Sequence, residues 1–203
     1  MQGKDWFVGE NGQHQVCKSA REWDLLHDNY RLYRFLTEVE DVLKDVKDES
    51  THLPELRMLV RRLIINSYWV QSQFLQPDPK TGISVLSLYD ELGFPLTVQT
   101  VSFAPGTTST IHNHGTWGIV AILKGQEKNT FWQRNPTLEF PDRLKKVGEI
   151  DLYPGDLISF PPETIHHVQA FGEEPTVTFN IYGETNPKGR FEFDVINNIA
   201  TKF

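Results

Sequence analysis

The sequence holds one cysteine, and no apolar run in it approaches the roughly 20 residues that a membrane-spanning helix needs. A single thiol, Cys17, excludes an intramolecular disulfide and favours a reducing compartment; it is read as an ordinary part-buried cysteine. Met1-Gln2-Gly3-Lys4-Asp5 carries no apolar signal core, so the expected location is the cytoplasm, with no membrane partner. Positive charge is short as well: 20 Lys and Arg against 27 Asp and Glu leave a net −7. That balance argues against nucleic acid, because phosphate binding wants a basic face. Low-complexity tracts are missing too. The 203 residues, 38% hydrophobic and 12% aromatic, suffice for one good core. Oligomeric state is not legible.

Residues 1 to about 75 read as helical. Phe35, Leu36, Val39, Val42, Leu43 and Val46 recur at three-four spacing, one stripe of an amphipathic helix. Ser50 or Thr51 is placed to cap a second helix, with Pro54 in its first turn and Leu56, Leu59, Val60, Leu63 and Ile64 buried. Arg57, Arg61 and Arg62 fall off that stripe and read as a solvated face. His14, His27 and His52 are expected on the surface.

The periodicity stops at Gln76-Pro77-Asp78-Pro79-Lys80-Thr81-Gly82. The division expected is therefore a helical extension, 1–76, packed on a β-barrel, 77–203. Strands are predicted near 83–90, 96–104, 109–114, 118–123, 128–134, 149–153, 156–160, 165–171, 176–182 and 190–196. Many short strands with regular turns mean a sandwich or barrel. The polar connection from Asn135 to Val147 reads as a surface loop, with a lid over the pocket as its functional alternative. Arg134 reads as a barrel-exterior residue, with charge supply to the pocket as the alternative.

Two stretches carry chemistry. Pro105-Gly106 leads through β-type residues to His112-Asn113-His114. Pro154-Gly155-Asp156 leads through Pro161-Pro162 to His166. Each Pro-Gly fits a type II turn. Residues 112 and 114 share a strand face, and a third imidazole from a partner strand completes a facial set. His167 points to the opposite face and is read as no ligand. Thr178, Asn180 and Tyr182 alternate with Val177, Phe179 and Ile181, so one face of that strand is polar. That face meets either water or the lumen; in the lumen, Tyr182 is a candidate hydrogen-bond donor to a bound ligand.

Gly106, His112-x-His114 and Gly125 resemble the first cupin motif, and Pro154-Gly155-Asp156 through His166 the second, together covering about 83–185. The resemblance implies a mostly β, double-stranded β-helix (jelly-roll) fold with a metal inside. Most metal cupins place a glutamate four residues after the second histidine; here that position is Gly118. His112-Asn113-His114-Gly115-Thr116-Trp117-Gly118, followed by Leu123-Lys124-Gly125, is similar to bacterial thiol dioxygenases of the cysteine and mercaptopropionate type. That likeness implies Fe(II), with Ni or Zn as other occupants of a purified sample, held by His112, His114 and His166. It also implies O2 and a small-molecule thiol as reactants and a sulfinate as product.

The cysteine that the mammalian type cross-links to a tyrosine is absent at Gly118. Thr178-Phe179-Asn180-Ile181-Tyr182 lines up with the family's Ser-x-His-x-Tyr, giving Tyr182, Thr178 and Asn180 as candidate catalytic residues. Asn180 stands where the family has histidine. The stretch Val85-Leu86-Ser87-Leu88-Tyr89-Asp90 lacks the arginine that grips a substrate carboxylate. A non-catalytic or sensory cupin therefore stays open beside the enzyme, and a non-redox metal cupin is disfavoured by Gly118.

Overall fold

The computed structural model describes residues 3–18, 29–89 and 91–202. Its strands are β1 (Asp5–Val8), β2 (His14–Cys17), β3 (Ile83–Tyr89), β4 (Thr97–Phe103), β5 (Ile111–His112), β6 (Gly118–Lys124) and β7 (Gln126–Arg134), continued by β8 (Leu144–Leu152), β9 (Leu157–Phe160), β10 (Ile165–Phe171), β11 (Thr176–Tyr182), β12 (Phe191–Asp194) and β13 (Ile199–Lys202). The helices are α1 (Leu32–Leu43), α2 (Leu53–Asn66) and α3 (Tyr68–Ser72). Two sheets, ordered β2-β1-β9-β6-β11-β4-β3 and β13-β12-β5-β10-β7-β8, face each other as a jelly-roll sandwich. Among the described residues no helix is long and apolar enough to cross a membrane.

Strand parity sets what lies inside. Phe179 and Ile181 point outward from β11 and join Phe35, Val39, Leu56 and Leu63 of the helices in one buried cluster. Phe35 and Phe179 meet edge to face at 6.1 Å. The helices thus cover the apolar outer face of the first sheet. The polar residues of β11 are left for the space between the sheets, where Val120, Phe131, Ile158 and Phe160 form a second cluster.

The amino-terminal region departs from the helical reading. Asp5–Val8 is a strand pairing parallel to β9, and His14–Cys17 pairs antiparallel to it at the sheet edge. The cap of α2 also shifts. Glu49–His52 forms a 3-10 turn, opened by Asp48 accepting from the Ser50 amide, and His52, not Ser50 or Thr51, occupies the cap position. The surface reading of two arginines is overturned by β1. It carries the buried Asp5 to the face of α2, where Arg61 pairs with the carboxylate. Arg61 also donates to the carbonyls of Gly155 and Lys4, and Arg57 donates to Ser159 Oγ at 3.0 Å. Buried guanidinium groups require such partners. His14 is half-buried, its ring against those of Trp6 and Phe131, while His27 and Asp90 lie outside the described residues.

The connection expected between Asn135 and Val147 is shorter than the sequence suggested, because β8 already begins at Leu144. Its exposed tip is closed by Asn135 N–H donating to Arg143 O at 2.8 Å. None of its residues lines the cavity described below, so it is not a lid in this conformation. Arg134 pairs with Asp142 at 3.6 Å and lies over Phe191 and Phe193, on the exterior.

Candidate metal centre

Both Pro-Gly turns form, with Gly106 and Gly155 at φ 82 and 93, the left-handed values that glycine accepts without strain. The first turn feeds β5 and the second feeds β9 and β10. His112 and His166 are direct cross-strand partners in the second sheet. His114 lies just past β5, in a turn closed by Gly115 at φ 64. Asn113, between the two histidines and buried, fastens that turn. Its Oδ1 accepts from the Phe191 amide at 2.8 Å, and its Nδ2 donates to Gly189 O at 2.7 Å. The same clamp brings Arg190 to the site.

The ligand atoms of His112, His114 and His166 all lie within 4.8 Å of one another. His112 Nδ1 is 2.9 Å from Thr110 O, and His166 Nδ1 is 3.0 Å from Asn129 Oδ1. Protonated there, both rings present a bare Nε2 to the centre, the tautomer a metal ligand needs. His114 Nε2 and His166 Nε2 stand 3.1 Å apart. Two nitrogens each about 2.1 Å from a common ion, at about 90–110° to one another, lie roughly 3–3.4 Å apart, so this pair is spaced for one cation, with the His112 ligand atom within 4.8 Å of both. Burial holds all three imidazoles below their usual pKa, and repulsion from Arg190 and from one another adds to this at His114. They are therefore neutral and ready to ligate at physiological pH.

Among the described residues no carboxylate joins them. At Gly118 an added Cβ would sit 2.5 Å from the Phe160 ring and 2.8 Å from the Tyr182 ring. Those two aromatics clasp His114, stacking on it with centroids at 5.2 and 4.6 Å. The space that a side chain at Gly118 would enter is thus occupied by rings that fix an imidazole.

The histidines line a cavity of about 440 Å³ between the sheets. Thr178, Asn180 and Tyr182 face it, so the polar face of β11 lines the lumen. Tyr182 donates to Asn180 Oδ1 at 3.2 Å, Asn180 Nδ2 to Thr178 Oγ1 at 2.9 Å, and Thr178 to Val101 O at 3.4 Å. Burial, and Glu127 nearby, raise the Tyr182 phenol far above its usual range, so it stays protonated. His167 turns away and accepts from Trp132 Nε1 at 3.0 Å.

Two cavity residues were not singled out from the sequence. Arg190 lines the wall beside His112 and His114, bringing positive charge to the centre. Glu127 is fully enclosed; its Oε1 accepts from Asn129 Nδ2 at 2.8 Å, while burial pushes its pKa up to about 7. Parity along β7 could have found Glu127, since it shares a face with Asn129 and Phe131. Arg190 gives no local signal, because its placement depends on the Asn113 clamp.

A family model described as Cupin matches residues 81–203. Among solved structures, oxalate oxidase in complex with the substrate analogue glycolate is 20% identical, with 61% of this chain and 61% of that chain covered and a TM-score of 0.42. This chain thus spans less than two thirds of that enzyme's length. A cupin superfamily protein from Desulfitobacterium hafniense is 19% identical over 55% of this chain and 83% of its own, with a TM-score of 0.40. The protein TT1209 from Thermus thermophilus is 13% identical over 55% and 91%, with a TM-score of 0.43.

Proposed function

Since this chain belongs to the cupin family, whose model spans more than half of it, we propose that it is a non-haem iron oxidoreductase that adds O2 to a small anionic thiol, giving a sulfinate. The observation carrying this reading is the ligand set: three neutral imidazoles with, among the described residues, no acidic residue in the cluster, beside an arginine in one cavity. His112, His114 and His166 would hold iron(II), which would supply the redox chemistry for a four-electron oxidation of the thiol sulfur to a sulfinate by one O2, both of whose oxygen atoms end in the product.

The chain's own groups account for the rest. Three uncharged ligands leave the full charge of the cation unmet, which favours a thiolate as an added ligand and lowers the pKa of the bound thiol. Arg190 attracts a second anionic group, the task that the stretch Val85-Leu86-Ser87-Leu88-Tyr89-Asp90 has no arginine to perform. Tyr182 holds its proton on a long hydrogen bond to Asn180, which the phenol can exchange for a stronger acceptor on a bound ligand. Asn180 and Thr178 position that phenol.

The test is O2 uptake by the iron-loaded protein against a panel of mercapto-acids, aminothiols and cysteine, with the sulfinate identified by mass. Tyr182→Phe should keep the iron content and lose roughly tenfold in turnover, the worth of one hydrogen bond of about 1.4 kcal/mol. Unchanged turnover removes Tyr182 from the mechanism. Tight iron with no consumption of any thiol favours the alternative, a sensory or storage cupin for a small ligand.

A further inference from the structure

The centre occupies one end of a cavity that continues well past it. Along β11 the lining runs from Tyr182, through Asn180, to Thr178. Four residues of strand are roughly 13 Å. The strand pairing shows what lies at the far end: Thr178 is opposite Val101, and Thr176 is opposite Phe103. Next to them β3 brings Val85 opposite Val101 and Ile83 opposite Phe103. Val101, Phe103 and Ala170 form a small buried cluster with Ile83 packed on it. Val168 adds a further apolar surface from the opposing sheet. The cavity is thus polar and cationic around the histidines and Arg190, and mostly aliphatic and aromatic beyond Thr178, with Glu127, cross-strand from Ala170, as the one carboxyl in its described lining.

Its size bears on what fits. At about 440 Å³ it has room for about fifteen waters at about 30 Å³ each. A thiol the size of a single amino acid, anchored at the histidines, would leave most of that volume wet against apolar walls. Pockets of this class are filled by ligands that bury most of their surface.

We propose that the ligand of this site is an extended amphiphile: an anionic head at the histidines and Arg190, and an unbranched apolar segment lying along Val85, Val101, Phe103 and Val168. The inference rests on the functional reading above for the identity of the head group and names the class of substrate that the reading leaves open. Glu127 lines the same cavity, and its Oε1 accepts from Asn129 Nδ2 at 2.8 Å. β3 is the edge strand of its sheet and Val85 is half exposed, so the apolar end lies near a route in from solvent.

The experiment uses the full chain loaded with zinc, which three imidazoles bind without redox chemistry. Straight-chain carboxylates from propanoate to octanoate are titrated calorimetrically, with the matching alkylamines as controls. Affinity for the acids should rise roughly threefold to fourfold per added methylene, the worth of burying one, and level off when the cavity is full. The amines should bind far more weakly at every length. Val85→Asn, at a half-exposed position that tolerates a polar group, should weaken the longest acid severalfold and leave propanoate within about twofold.

A series flat in chain length, equal binding of acids and amines, or equal loss across the series in Val85→Asn overturns the proposal. Its failure is separable from that of the sulfur chemistry. Oxidation of a short thiol with a flat acid series keeps the dioxygenase and discards the apolar segment. A rising series with no thiol oxidation does the reverse.

Discussion

Replacing His166 with alanine should abolish stable iron binding and, with it, all thiol-dependent O2 uptake, while the protein stays folded. His166 is the ligand that joins the two motifs. It comes from β10, pairs directly with His112 on β5, and is oriented by Asn129. Without it, the remaining imidazoles offer two nitrogens, and no carboxylate stands at Gly118 to compensate, since ring atoms fill that space. Asn129→Leu provides the graded comparison. Losing the partner of a ligating histidine costs about 10–100-fold in metal affinity, so His166→Ala should exceed that range. Metal analysis after dialysis against a weak chelator separates the three proteins. Full iron and normal uptake in His166→Ala would remove this residue from the site.

The second large effect concerns stability. Glu127 has a pKa raised to about 7 by burial, against an ordinary value of 4.5. Between those values the folded protein holds a proton that the unfolded chain has already released. Stability of the metal-free protein therefore falls as pH rises through that window, and this contribution levels off above it. The difference of 2.5 units corresponds to at most about 3 kcal/mol. Glu127→Gln keeps an oxygen for Asn129 and has nothing to ionise. At pH 8 the metal-free variant should be more stable than the parent by up to that amount, and near pH 4, below the ordinary carboxylate value, the two should nearly coincide. Iron loading should shrink the gap, because a nearby cation favours the ionised carboxylate. Urea unfolding at both pH values reads this out. Parallel pH profiles in the two proteins would show that Glu127 does not titrate as described.

The paired Pro-Gly turns and the spacing of His112, His114 and His166 were legible because they are local: turn chemistry and strand parity act over a few residues. Most strands from Ile83 onward could be read for the same reason, although β8 begins earlier than expected, at Leu144, and β13 (Ile199–Lys202) was not among those expected. Parity alone could not decide whether Thr178, Asn180 and Tyr182 face water or lumen. That is decided by Phe35 and Leu63, whose helices cover the opposite face. The burial of Arg57 and Arg61 was illegible from their helix, because it requires Asp5 to arrive on a strand that the sequence pattern did not announce. Arg190 was hidden similarly, since Asn113 fastens a distant turn to the centre through hydrogen bonds that no local spacing encodes. The family comparison identifies the cupin fold, whereas the reading as a thiol oxidant rests on the ligand set and its surroundings.

The most direct test is X-ray absorption at the iron edge of the loaded protein, with and without Glu127→Gln. Three imidazole nitrogens should be the whole of the protein's contribution to the metal's coordination, and the spectrum should be the same in the variant. A spectrum lacking imidazole scattering, or one that loses an oxygen when Glu127 is replaced, would contradict an all-histidine centre.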